Sequence, residues 1–415
     1  MNSNSSRRRR RPPTHSNARR VTLGGTAGLI VIAIGLFVQY GLGVDLFGLE
    51  TDAADQRPAS DVVEPVVAPS TALARIPGGY DGGWFQLYFS SPTGSPDPAD
   101  EHGSPVEAAL VTALDGAGQT VDVAIYELES QPITDALIRA QERGARVRVV
   151  TDGEYGLESP EATFDQLELA GIPIVSDGTR RGYMHNKFVV IDSLYVWTGS
   201  FNFKPSAFYR NNDNAVLIRS SRLAENYAAE FEELFAGRFG KTSPKDIPNP
   251  AVTIGQTRIE TLFASEGAVG ARLAELISAA RSVRFMAFSF TASLEWTEGD
   301  TERSVMLLLR DRAQAGALDV RGIVEASSRS LAGPLLCAGL DVRQDGNPYV
   351  MHHKVFIFDD SVVAMGSFNF SSRAANDNDE NMLIIHNPDI ARAYLEEFSR
   401  LWAEAQVVPE SALDC

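Results

Sequence analysis

Two short passages of this chain are near copies of each other at one fixed spacing. His185, Lys187, Asp192, Gly199, Ser200, Asn202 and Asp213 recur as His352, Lys354, Asp359, Gly366, Ser367, Asn369 and Glu380, every pair 167 residues apart. A single His-x-Lys-x4-Asp match is a weak signal, but two that share a downstream Gly-Ser-x-Asn and a carboxylate multiply independent coincidences. Whatever fold the chain adopts must build one functional half twice.

The copies extend beyond the motifs, which implies duplication of a whole structural unit. Apolar runs at 86–90 and 260–265 are followed by helix-patterned segments, then by strand-like runs at 121–126 and 283–288. A second helical pattern ends at Arg143-Gly144 in one half and Ala315-Gly316 in the other, and strands follow at 147–150 and 320–324. Strands alternating with helical patterns of about ten to fifteen residues imply an α/β fold with a largely parallel sheet under helices. The motifs add a hairpin to each half. Runs 188–191 and 355–358 are rich in β-formers, a turn is expected at Asp192-Ser193 or Asp359-Asp360, and a second strand ends at Gly-Ser. His and Lys two apart on a strand face the same way, and the hairpin returns Ser and Asn to their end.

These paired motifs resemble the phospholipase D superfamily, whose signature is His-x-Lys-x4-Asp followed by Gly-Ser-x-Asn. The resemblance covers residues 85–405, both halves. It implies two similar halves with mixed β-sheets flanked by helices, related by a pseudo-twofold, with one active site at the seam. Each half would give that site one His, one Lys and one Asn. Relatives of this kind include phosphodiester-cleaving lipases, nucleases and cardiolipin synthases.

The chemistry follows from the residue types as well. Cleaving a phosphodiester needs a nucleophile, an acid for the leaving oxygen, and positive charge around the phosphoryl oxygens. Lys187 and Lys354 supply charge, Asn202 and Asn369 amide donors, and Ser200 and Ser367 hydroxyls. One imidazole attacks phosphorus to give a phosphohistidine, while the other protonates the departing alcohol and then activates water. A carboxylate behind each ring would fix its tautomer. Asp213 and Glu380, each 28 residues after the His of its own half, are the candidates. Asp213 is one methylene shorter than the Glu more usual in the family, and its alternative is a solvated loop acid in 211–214. Asp192 and Asp359 are expected to serve a turn or ion pair away from the phosphate. By analogy with the family His185 is preferred as nucleophile and His352 as general acid, a choice the residues alone do not make. His353, next to His352, would point to the opposite strand face and pack there.

No cofactor is expected. His15, His102 and His386 lie far from any ligand-spaced cluster, no His-Glu-x-x-His or Cys-x-x-Cys occurs, and activity should survive chelators. The glycine-rich stretch 78–83 reads as a flexible connection.

The N-terminus bears on location. A basic tail, 1–20, with seven arginines precedes an uncharged segment, 21–44, long enough for a bilayer, where about 20 apolar residues suffice. Arginines should hold that flank in the cytoplasm and put the enzyme outside it, periplasmic or extracellular. An uncleaved signal anchor is preferred over a cleaved signal or a twin-arginine signal at Arg19-Arg20, because the run exceeds a typical h-region and no good Ala-x-Ala site follows. Residues 45–80 read as a flexible linker, 81–240 as the first half, 241–250 as a linker and 251–415 as the second half, in a chain expected to be a monomer. Cys337 and Cys415 either pair and pin the C-terminal tail, or Cys337 is simply buried.

Charge narrows the substrate. The chain stands at −17, and the residues after position 20 carry −24, whereas a nonspecific duplex nuclease normally has a basic surface. Nucleic acid is thereby disfavoured, although Arg180-Arg181 could steer one phosphate into the seam. Tyr183, Tyr349, Leu294 and Trp296 could meet lipid, or pack as ordinary loop residues. The preferred reading is a phospholipase D-type phosphodiesterase acting on a phospholipid near its membrane anchor. The alternatives are a cardiolipin-synthase-type transferase, an extracytoplasmic endonuclease, and an inactive binding module on the same fold.

Overall fold

The structure, a computed structural model, describes residues 62–64, 73–93, 95, 97, 102–298, 301–413 and 415. Each half builds one mixed sheet. In the first, nine strands run in spatial order Ala74–Ile76, Gly79–Asp81, Phe85–Phe89, Asn214–Arg219, Tyr195–Gly199, Lys187–Ile191, Thr120–Ile125, Arg146–Thr151 and Ile174–Ser176. The second repeats the pattern with Thr257–Phe263, Asn381–His386, Val362–Gly366, Lys354–Phe358, Ser282–Ala287, Asp319–Val324 and Asp341–Gln344, extended at its edges by Ala251–Ile254, Val62–Glu64 and Gln406–Val407.

The expectation of largely parallel sheets is corrected. Within the repeated unit only the three strands at one side, such as Thr120–Ile125, Arg146–Thr151 and Ile174–Ser176, are parallel. The motif hairpin enters antiparallel beside them, and the strand after it pairs antiparallel on its other side. A helix crossover is needed only between parallel neighbours, so the helical alternation covers half of each sheet and says nothing of the rest.

Helices Ser221–Phe235 and Pro388–Glu404, one ending each repeat, contribute to a single core cluster drawn from both halves. Leu223, Tyr227, Phe231 and Leu234 are fully buried at three- and four-residue intervals on the first, and Tyr394, Phe398 and Leu401 lie on the second. Burying each such side chain contributes roughly 1.5–3 kcal/mol, so the two halves are held by a shared interior. The outer faces are separate clusters. Val106, Leu110 and Leu137 belong to one, and Leu273, Ile277 and Leu309 to the other.

The described residues of the expected tether at 45–80 include strands. Ala74–Ile76 and Gly79–Asp81 form a hairpin on the edge of the first sheet, and Val62–Glu64 pairs in parallel with Ala251–Ile254. The supposedly flexible glycines have a steric reason instead: a Cβ on Gly79 would lie 1.8 Å from the Leu87 carbonyl oxygen. Cys337 and Cys415 are disulfide-bonded across 78 residues. Among the described residues no helix is long and apolar enough to cross a membrane; the expected span, 21–44, lies outside them.

Candidate active site

Each motif starts where its strand starts. Lys187–Ile191 and Lys354–Phe358 follow the His by two residues and turn back through three-residue loops, 192–194 and 359–361, whose first two residues have positive φ, 53° and 52° at Asp192 and Ser193, 47° and 53° at Asp359 and Asp360. Asp tolerates that region better than most residues because its side chain can hydrogen-bond locally. Here it does more. Asp192 accepts backbone N–H bonds from Gly118, Gln119 and Thr120, and Asp359 from Arg281 and Ser282. The motif aspartates thus tie the hairpin to the start of the neighbouring strand, at the end of the hairpin opposite the His and Lys. The return strand ends at a glycine because a Cβ on Gly199 would stand 2.1 Å from the Asn214 carbonyl oxygen, and one on Gly366 2.3 Å from that of Asn381.

The seam joins the two motifs through backbone. Met184 bridges Asp379, with His185 N–H donating to the Asp379 carbonyl at 3.0 Å; Met351 bridges Asn212, with His352 N–H donating to the Asn212 carbonyl at 2.8 Å. These bridges carry each acid to the other half's histidine. His185 Nδ1 lies 2.8 Å from Glu380 Oε2, and His352 Nδ1 lies 2.8 Å from Asp213 Oδ1. The expectation that each acid backs its own half's His is therefore corrected: the offset of 28 residues is shared, but the bridges cross the seam. The shorter Asp213 reaches its ring.

With a carboxylate on Nδ1, each ring turns its Nδ1–H toward the acid and leaves Nε2 for the site. Both rings are buried, and each meets an aromatic edge, His185 against Tyr126 at 4.8 Å and His352 against Phe288 at 5.0 Å. The lysines are buried too. Lys187 Nζ donates to the His185 carbonyl and Lys354 Nζ to the His352 carbonyl, both at 2.8 Å, and each stands 5.0 Å from the centre of the same aromatic ring.

Ser200 and Ser367 are not placed as phosphate ligands. Their hydroxyls donate to Asp213 at 2.5 Å and Glu380 at 2.8 Å, and accept the backbone N–H of Asn214 and Asn381. A hydroxyl has one proton, so these serines are committed to holding the acids.

The electrostatics follow from crowding cations away from water. Burial, then Lys187 and Lys354, hold His185 well below the ordinary imidazole range. Burial and then Lys354 bring His352 down to about 4. Burial also lowers Lys187 to about 8, and burial with Lys187 nearby lowers Lys354 to about 7. The acids differ. Burial raises Glu380 to about 7. Burial raises Asp213 as well, but the charge and hydrogen bond of His352 more than offset it and leave the group below its ordinary value. An anion entering this site would relieve all four bases, which is the physical requirement of a phosphodiester site.

The family model described as "Cardiolipin synthase, PLD-like domain" matches residues 110–235 and 273–402, once for each half. The chain belongs to this family. Among curated proteins, this phospholipase D-like chain is 33% identical over 126 residues to a mitochondrial cardiolipin hydrolase of Xenopus laevis, covering 30% of this chain and 59% of that one. It is 38% identical over 118 residues to a phospholipase D of Rickettsia prowazekii, covering 28% and 57%. It thus spans less than two thirds of the length of these relatives. Among solved structures, phosphatidylserine synthase of Haemophilus influenzae shares the fold, with a TM-score of 0.56 at 16% identity over 74% of this chain and 86% of the other.

Other expected residues fall elsewhere in this phospholipase D-like fold. Arg180 is bound to Asp177, to the Asp377 carbonyl and to Asp379, so it clamps the seam instead of steering substrate. Leu294 is buried and Trp296 packs on the second outer cluster. Tyr183 and Tyr349 stand beside guanidinium groups from the opposite half, those of Arg373 and Arg210. His353 is fully buried between Asn214 and Glu397. Sequence reasoning passed over Tyr126 and Phe288, although both matched strands end in an aromatic. It also passed over Glu127, which accepts from Asn202 and from Lys204.

Proposed function

We propose that this protein is a phospholipase D-type phosphodiesterase that hydrolyses the headgroup ester of a phospholipid through a phosphohistidine. The observation that supports it best is the crossed pair of His–carboxylate contacts, which brings two equivalent bases and two lysines into one buried seam. In this reading Lys187, Lys354 and the amide of Asn369 hold the phosphoryl oxygens, while the amide of Asn202 is held by Glu127. His185 Nε2 attacks phosphorus; the bond to the alcohol oxygen breaks, and that oxygen takes the Nε2 proton of His352. His352 then removes a proton from water, the hydroxide attacks phosphorus, and His185 leaves. The division of roles is supported by the acids: Asp213, held below its ordinary range, favours a proton on His352 over one on His185 once the substrate anion lifts His352 from about 4, whereas Glu380, raised to about 7, leaves His185 as the neutral nucleophile.

The name of the matched family favours a second reading, in which a lipid alcohol replaces water in the second step. Product analysis separates the two. Full-length protein with EDTA, offered mixed phospholipid vesicles and a trace primary alcohol, should release headgroup; exchange onto the alcohol without net hydrolysis would favour the transferase. Loss of either product in His185→Ala and His352→Ala is expected. Cleavage of single-stranded DNA with lipid untouched would refute both lipid readings, and turnover by neither route would favour a binding module.

We place the catalytic region outside the cytoplasm, anchored by 21–44. The arginine flank and the Cys337–Cys415 disulfide support that placement. Protease protection in intact cells tests it: a catalytic region shielded by the inner membrane would refute it.

A further inference from the structure

The pseudo-twofold is broken beside one of the two motif asparagines. Asn202 and Asn369 match, but the residue two positions on is Lys204 in one half and Ser371 in the other. The residue after the strand-ending aromatic is likewise Glu127 in one half and Ser289 in the other. Glu127 binds both first-half partners: it accepts from Lys204 Nζ at 2.6 Å and from the side-chain amide of Asn202. Its side chain is 15% exposed and that of Lys204 23%, so the trio reaches the site's edge without being loose in solvent.

This contact fixes the orientation of Asn202. A carboxylate only accepts, so the NH2 group must face Glu127 and the carbonyl must face away. Asn202 is 7% exposed, and its Oδ1, like that of Asn369, is buried without a hydrogen-bond partner among the described residues, so the two halves differ in the amide that Glu127 holds and not in the open carbonyl. A buried acceptor left open is costly unless a ligand donor fills it. The charges point the same way. Glu127 cancels Lys204, Glu129 lies within electrostatic reach of both, and Lys187 feels Glu127 directly. This flank offers acceptors and no surplus positive charge.

We propose that Glu127 is a specificity-determining residue: by neutralising Lys204 and occupying the Asn202 amide, it makes the first-half flank a subsite for a hydroxyl-bearing alcohol portion of the substrate and closes it to a second phosphate. The proposal rests on the phosphodiester reading of the site but not on the lipid identity of the substrate. Removing Glu127 frees Lys204 and releases the amide, so the same flank becomes a phosphate subsite.

The test is calorimetric binding to the full chain of two probes, glycerol 3-phosphate and inorganic pyrophosphate, in wild type, Glu127→Ser and Glu127→Gln. Wild type should favour glycerol 3-phosphate, and Glu127→Ser, which copies the second half, should shift the affinity ratio toward pyrophosphate by about tenfold or more, the scale of one partly buried charge contact. Glu127→Gln keeps the size and removes the charge, so it should move the ratio the same way and carries the test if the Ser variant melts early. An unchanged ratio in both variants, or a wild-type preference for pyrophosphate, overturns the proposal. Headgroup release measured alongside reports on the lipid reading separately: its absence in wild type, with the ratio shift intact, would remove that reading and leave the subsite standing.

Discussion

Replacing Asp213 with Asn should impair the departure of an alcohol far more than that of a phenol. Asp213 is fully buried, accepts from His352 Nδ1 at 2.8 Å and Ser200 Oγ at 2.5 Å, and has a second oxygen without a partner. Asn can keep an oxygen toward the ring only by placing its NH2 where no acceptor stands; turned over, it offers the ring a donor and forces the wrong tautomer. A hydrogen bond between charged partners contributes about 1.5–3 kcal/mol, which is about 10- to 150-fold in rate at 1.36 kcal/mol per factor of ten. If His352 is the general acid, that loss falls on the first step with an alkyl alcohol as leaving group. A p-nitrophenolate needs little protonation, so its burst-phase release should fall by less than about tenfold. Glu380→Gln acts on the nucleophile instead and should slow both bursts alike. Stopped-flow bursts with paired alkyl and p-nitrophenyl phosphodiesters, on variants whose melting temperatures are matched, give the comparison. Equal losses for both leaving groups in Asp213→Asn, or phenol rescue confined to Glu380→Gln, would refute the assignment of roles.

Asp192→Ala should destabilise without affecting catalysis. It removes three backbone acceptor contacts at the hairpin turn, a loss of about 1–3 kcal/mol, seen as a lower melting temperature with unchanged kcat and KM. Burial raises the Asp192 carboxyl but its three backbone N–H bonds lower it further. Its contribution is therefore full above the unfolded value of about 4 and lost as pH falls through the lower folded value, so wild type and variant should converge in stability near the acid end of a melting series. Reducing the Cys337–Cys415 bond reopens a loop of 78 residues, a chain-entropy cost of about 4.5 kcal/mol; differential scanning with and without reductant should show a drop in melting temperature while activity at 25 °C persists. Vanadate or phosphate binding should take up protons near neutral pH, because the anion raises bases that burial holds down, His352 at about 4 and Lys354 at about 7. Affinity should thus rise as pH falls toward 6, and calorimetry in buffers of different ionisation enthalpy should give a positive proton count; a zero count would contradict the electrostatic description.

What could be read from sequence was whatever the repeat states twice. His185, Lys187, His352 and Lys354 announce themselves by spacing, and β-rich runs after them locate the hairpins. The crossed acids could not be read this way. Glu380 sits behind His185 because Met184 bridges Asp379, a pairing between segments nearly 200 residues apart, and no local pattern encodes a long-range register. The serines were misread for a related reason: a hydroxyl near a phosphate site and one behind a carboxylate have the same sequence context, and only the position of the acid decides. Residues 78–83 were misread because glycine has two uses. Composition cannot tell a flexible joint from a close approach of two strands, which is what Gly79 and Leu87 make.

A duplicated site faces one chemical difficulty, since a displacement at phosphorus needs one neutral and one protonated imidazole from two that arose as copies. The crossed geometry supplies a way out. Because each acid serves the other half's ring, a change of acid in one half alters the base of the other, and Asp213 against Glu380 is such a change. The layer behind the motifs differs as well. Asn381 donates to Asn186, which donates to a Glu230 raised well above its ordinary range by burial; the matching Asn214 meets His353, which meets a Glu397 that His353 and Arg400 hold below its ordinary value against burial. Asn214 directly follows Asp213 in the chain. The side of the seam that holds the ionised Asp213 is thus also the side supported by an ionised second layer, while the Glu380 side is supported by groups that burial drives toward neutrality. The two layers break the symmetry in the same direction, the one that favours a proton on His352 over one on His185 once an anion in the seam lifts His352 from about 4.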